Sequence, residues 1–133
     1  MDKLILDTSF LVSYYNTRDE NHGKAEELMK KISQEEFDVV ISDYVFGECC
    51  TVLLMRLKDS KKTIEICETI KSLEILKIDE GTFERSWEIF KEQKQTKMSF
   101  TDCSTLALME MNGIKNIATF DEDFSKIGWI DVV

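Results

Sequence analysis

Four carboxylates stand apart from the other acids by their surroundings. Asp7 closes the run Leu4-Ile5-Leu6. Glu48 lies in Tyr44-Val45-Phe46-Gly47-Glu48-Cys49-Cys50, Asp102 in Ser99-Phe100-Thr101-Asp102-Cys103, and Asp121 in Ile117-Ala118-Thr119-Phe120-Asp121. No base is adjacent to any of them. Burying an unpaired carboxylate costs several kcal/mol, so each needs a partner. Each also has a local explanation. Asp7 and Asp121 can cap the helices that follow them, and Glu48 can stand half-exposed on a helix. Ser99 and Asp102 have capping-box spacing. Four separate local roles explain the set less well than one shared divalent cation, and an oxygen-only donor set suits Mg²⁺ or Mn²⁺.

The remaining acids keep charged company, as in Lys24-Ala25-Glu26-Glu27-Leu28-Met29-Lys30-Lys31, and read as solvated helix faces. The sole histidine, His22, sits in the polar stretch Asp19-Glu20-Asn21-His22-Gly23-Lys24, a solvated helix entry. One histidine cannot build a His-rich metal site or an H-E-x-x-H protease. Cys49, Cys50, Cys67 and Cys103 form no C-x-x-C pair and read as reduced core residues, against a zinc ribbon.

Of 133 residues, 26 are acidic and 17 basic, a net charge of -9. The balance argues against bulk electrostatic binding of nucleic acid, but not against an acidic site that acts through cations. With 43% hydrophobic and 32% charged residues the chain reads as one globular domain, 1–133. It has no apolar run of membrane-spanning length, and the acids at positions 2 and 7 are unlike a signal peptide, so a cytoplasmic protein is expected.

Those carboxylates must be placed by the elements around them. Residues 3–7 predict a buried strand, and 8–16 a helix capped by Thr8 or Ser9. A helix follows over 20–33 with Ala25, Leu28, Met29 and Ile32 on one face. Strand 37–42, helices 43–57 and 60–72, and strand 73–78 come next, then helix 80–95 and helix 99–111 ending at Asn112-Gly113. Residues 116–119 predict a fourth strand, 123–126 a helical turn and 128–132 a fifth strand. Alternating strands and helices predict a three-layer α/β/α sandwich around a parallel sheet of four to five strands. Asp7 and Asp121, each following a strand, should stand at the carboxyl edge, where such sheets bind ligands.

This ordered set, with Ala118-Thr119-Phe120-Asp121-Glu122-Asp123-Phe124 as its most diagnostic piece, resembles the PIN-domain ribonucleases, and among them the VapC-like toxins of prokaryotic toxin–antitoxin pairs. The likeness spans residue 4 to about 131. It implies a Mg²⁺- or Mn²⁺-dependent endoribonuclease leaving 5′-phosphate and 3′-hydroxyl ends. Asp7, Glu48, Asp102 and Asp121 would be the acidic cluster and metal ligands, with Ser9, Thr119, Asp123 and Ser99 in support. An RNA substrate, an antitoxin partner and a homodimer are implied with it; a housekeeping RNA-processing nuclease and a non-catalytic PIN module are the alternatives. Phe10, Tyr14, Tyr15 and Leu57 are candidate partner contacts. Arg56 and Lys61, or Lys94 and Lys97, are candidate RNA contacts. Gly47, unusual within a helix, is expected to allow a close backbone approach. A phosphatase on a similar sheet would need a second Asp two residues after Asp7, where Ser9 stands; a receiver domain would need paired acids before its Asp and a late Lys, and neither is evident.

Overall fold

The computed structural model describes all of residues 1–133. Strands β1 (Lys3–Leu6), β2 (Asp38–Ser42), β3 (Glu74–Leu76), β4 (Asn116–Ala118) and β5 (Asp131–Val132) form one sheet in the order β3-β2-β1-β4-β5. Every pairing is parallel; Ile5 faces Val40 on one side and Ile117 on the other. The helices are α1 (Thr8–Tyr15), α2 (His22–Gln34), α3 (Asp43–Leu57), α4 (Ser60–Lys71), α5 (Glu80–Lys91) and α6 (Phe100–Asn112), with a 3₁₀ turn over Glu122–Lys126. None is long and apolar enough to cross a membrane.

The three layers follow from the period of two in a strand. Leu4, Leu6, Ile41 and Ala118 point to one face and pack with Phe10, Ala25, Val45, Leu53 and Ile70 of α1–α4. Ile5, Val40 and Ile117 point to the other and pack with Cys103, Leu106 and Met109 of α6 and with Phe124 and Ile130. The expected sandwich is therefore present, with five strands.

Boundaries agree best where capping chemistry is strong. Helix α3 begins as the Ser42 hydroxyl accepts from the Val45 amide and ends at Lys58 in a left-handed conformation. Helix α6 opens with a full Ser99–Asp102 capping box and closes on Gly113, φ 65°. Four local expectations need correction. Helix α1 is preceded by Asp7, not Thr8 or Ser9, and the Asp7 side chain makes no cap hydrogen bond. Helix α5 stops at Lys91, because 92–99 is held by side chains: Gln93 accepts from the Met98 amide and the Thr96 hydroxyl and donates to the Met98 carbonyl. Gly47 has open space where a Cβ would stand, so no close backbone approach occurs there. Cys49 and Cys103 are buried, but Cys50 and Cys67 are only half-buried; all four are free thiols.

Candidate active site

The sheet order creates a crevice. From β1 the chain runs outward through β2 and β3, then returns to place β4 on the other side of β1. The carboxyl ends of β1 and β4 thus flank the point where strand order reverses, the place where open parallel sheets bind ligands. Asp7 follows β1 there, and its amide donates to the Ala118 carbonyl of β4 at 3.0 Å. Asp121 follows β4 three residues on. Asp102 arrives from the first turn of α6 and Glu48 from α3. Asp7, Glu48, Asp102 and Asp121 line one pocket, together with Ser9 and Ser99.

Asp7 is 1% exposed. Its Oδ2 accepts from the Ser9 hydroxyl at 2.8 Å and from the Thr119 hydroxyl at 2.7 Å. Those two hydroxyls also touch each other, at 3.2 Å, and accept in turn from the backbone amides of Phe120 and Asp121 at 3.0 Å. The network holds the carboxylate on one oxygen and ties β1 to the segment carrying Asp121. The other oxygen, Oδ1, is buried with no hydrogen-bond partner. An orphaned carboxylate oxygen is costly and rare, and it asks for a ligand.

Burial pushes the Asp7 carboxyl above its ordinary value; the Thr119 and Ser9 hydroxyls and the nearby Thr8 amide pull it back, and Asp121 adds repulsion. Asp102 is pushed up to about 7, first by burial and then by the charges of Asp7 and Asp121. Those three carboxylates therefore lie within electrostatic reach of one another. No three acidic, histidine or cysteine side chains have closed around one point. The donor set of oxygens, with an unpartnered oxygen already buried in it, fits a hard divalent cation.

The supporting residues divide. Ser9 and Thr119 orient Asp7, and Ser99 caps the helix that carries Asp102. Asp123 is absent from the pocket lining. Its Oδ1 pairs with Lys126 at 2.9 Å and its Oδ2 accepts from the Lys97 amide at 3.0 Å. It anchors the α5–α6 connection that leads to Ser99. Phe124, fully buried, anchors the same turn in the core. Phe124→Ala should cost about 3–5 kcal/mol of stability, read as a lowered denaturation midpoint at unchanged m-value.

The basic candidates also divide. Arg56 lines the pocket: Glu48, Val52 and Arg56 stand at i, i+4 and i+8 on one face of α3. Lys61 lies outside the pocket lining, and Lys94 lines a separate depression with Lys126 and Ile127. Lys97 lies outside the pocket lining, and its amide donates to Asp123. Asp19 and Asn21 are among the pocket residues that the sequence did not single out. Asp19, with its side chain 14% exposed, accepts from the Ser13 hydroxyl at 3.0 Å and the Asn21 amide at 2.8 Å and pairs with Arg56 at 3.6 Å. His22 has its Nδ1 2.9 Å from the Ser13 carbonyl and its Nε2 3.4 Å from Glu26, as a structural residue would.

A parallel α/β sandwich with clustered carboxylates at its strand-order reversal defines a class of acidic-pocket proteins. Within that class the PIN domain profile matches residues 4–130, and the chain belongs to the PIN domain family. The 23S rRNA-specific endonuclease VapC20 of Mycobacterium tuberculosis is 29% identical over 132 residues, 97% of each chain. Its crystal structure, described as that of a sarcin-ricin loop cleaving toxin, superposes with a TM-score of 0.83 at 27% identity, covering 97% of this chain and 98% of that one. A VapC ribonuclease of Aquifex aeolicus is 25% identical over 126 residues, 94% of this chain and 92% of its own. DNA-bound VapBC from Salmonella typhimurium shares the fold, with a TM-score of 0.74 at 18% identity over 100% and 98% of the two chains.

Proposed function

We propose that this chain is a cytoplasmic, single-domain endoribonuclease dependent on Mg²⁺ or Mn²⁺, the toxin of a type II toxin–antitoxin pair. The observation that carries the reading is the buried, unpartnered Oδ1 of Asp7 in a pocket shared with Asp102, Asp121 and Glu48. The VapC names of relatives matched over nearly the whole chain support the same activity.

Asp7, Asp102, Asp121 and Glu48 would hold the cation. When bound, it would supply Lewis-acid stabilisation of charge on the scissile phosphate and lower the pKa of water. The chain's own residues do the rest. Ser9 and Thr119 fix Asp7 by donating to Oδ2, leaving Oδ1 directed to the ligand. The capping box holds Asp102 on a helix, a more rigid support than a loop. Glu48, half-buried on α3, can accept a proton from an attacking water. Arg56, on the same face of α3, lines the pocket and would offer positive charge to the RNA phosphate.

Two partners belong to this reading: a cognate antitoxin that covers the pocket, and a second copy of the chain. Phe10 is fully buried and is no longer a contact candidate, whereas Tyr14, Tyr15 and Leu57 are half-buried. The exposed aromatic side chains are instead Phe83, Trp87 and Phe90 of α5, with Trp129 near the C-terminus.

The end groups of the product test the reaction. Incubated with a structured RNA such as a 23S rRNA hairpin, the purified chain should cut with Mg²⁺ or Mn²⁺, stop with EDTA, and leave 5′-phosphate ends. Cyclic 2′,3′-phosphate ends, or cutting that persists in EDTA, would contradict it.

A further inference from the structure

We propose that Arg18, Arg56 and Lys62 form a second subsite, a cleft beside the acidic pocket that grips a neighbouring phosphate of a single RNA strand. The inference rests on the ribonuclease reading and adds where the strand runs. Arg56 lines both the acidic pocket and this cleft, so its side chain stands between the two. Arg18 enters the cleft from the loop after α1, and Lys62 from the first turn of α4.

The chain builds this cleft deliberately enough to hold its shape. The buried Asn16 side chain accepts from the Arg18 amide at 3.2 Å, and the Asn16 carbonyl accepts from the Asp19 amide at 2.9 Å, fixing the loop. Lys58, left-handed at φ 53°, turns the chain sharply between α3 and α4. Asp59, the only acid lining the cleft, is occupied as the cap of α4, accepting from the Lys62 amide at 3.0 Å.

Charge gives the cleft its ligand. In a chain of net charge -9, three cations face one capped acid. Neither Arg18 nor Lys62 has a carboxylate within ion-pairing distance, and Arg56 meets only Asp19, at 3.6 Å. Guanidinium forks and an ammonium match phosphate oxygens. Arg56 stands eight residues beyond Glu48 on one face of α3, roughly 12 Å at 1.5 Å per residue. A strand whose scissile phosphate lies among the carboxylates can therefore reach the cleft with a flanking phosphate. Lys94, in its separate depression, serves no such path.

The test is affinity for a labelled single-stranded RNA, measured by anisotropy across a salt series in the uncutting Asp7→Asn background. Arg18→Glu with Lys62→Glu should weaken binding at least about tenfold. The slope of log Kd against log salt should flatten by about 1.4, two contacts at about 0.7 each on a single strand. Arg18→Gln with Lys62→Gln should give a smaller loss in the same direction, and thermal melting confirms that both variants fold. Lys71→Glu with Lys115→Glu makes the same net-charge change away from the cleft and should shift Kd less than about threefold. Equal losses in the cleft and control variants, an unchanged salt slope, or no RNA binding by the parent would overturn the cleft. A wild-type chain that binds through the cleft but never cuts RNA supports the subsite and defeats the ribonuclease reading alone.

Discussion

Asp7→Asn is expected to lower cation-dependent RNA cleavage about 1,000-fold while the protein stays folded. The substitution preserves shape and leaves an amide oxygen able to accept from Ser9 and Thr119. It removes the charge at the one oxygen that has no protein partner. A bound cation contributes several kcal/mol to charge stabilisation, and roughly 4 kcal/mol corresponds to three decades in rate. The fold should not suffer, because Asp7 is a desolvated charge whose burial opposes ionisation. Cleavage rates and thermal melting on the same preparation check both halves. A variant that melts early and also loses activity would mean that Asp7 is a structural residue.

The second large effect is on stability as a function of pH. Asp102 is held at about 7 in the folded chain, above its ordinary 3.8, by burial and by Asp7 and Asp121. A carboxyl raised on folding binds its proton more tightly in the native state. Its stabilising contribution is complete below about pH 4 and is lost as pH rises through 7. Asp7 is shifted in the same direction. The cation-free protein should therefore lose stability from this site between about pH 4 and 7. Mg²⁺ should restore stability most at pH 8, since cations compete with protons for the same oxygens. Asp102→Asn should flatten the profile and, without cation, stabilise the chain by about 1–2 kcal/mol at pH 8 after allowance for solvent screening. Melting curves with EDTA and with Mg²⁺ across that range decide it. A wild-type profile already flat in EDTA would remove the electrostatic coupling.

What could be read in advance depended on how local the signal was. Helix α3 was legible at both ends because Ser42 caps it and Leu57 closes it before a turn. The layers followed from Leu4, Ile5 and Leu6, whose alternation sends them to two different cores. The strand order was not legible, because β1 pairs with residues more than a hundred positions away. The four pocket carboxylates could be found because they break apolar runs. Asp19 could not, since it lies in a polar stretch and gains its place only when the loop after α1 folds back to Ser13 and Arg56. Asp123 misled for the converse reason. Its nearness to Asp121 in sequence suggested a shared role, but the 3₁₀ turn carries it to Lys126 and the Lys97 amide.

The claim beneath all of this is that the pocket carboxylates hold a divalent cation. Calorimetric titration of Mn²⁺ into the cation-free chain at pH 8 tests it most directly. The expected result is saturable binding with proton release, weakened at least about tenfold in Asp7→Asn and in Asp121→Asn. Binding of equal strength in the wild type and both variants, or none in any of them, would contradict it.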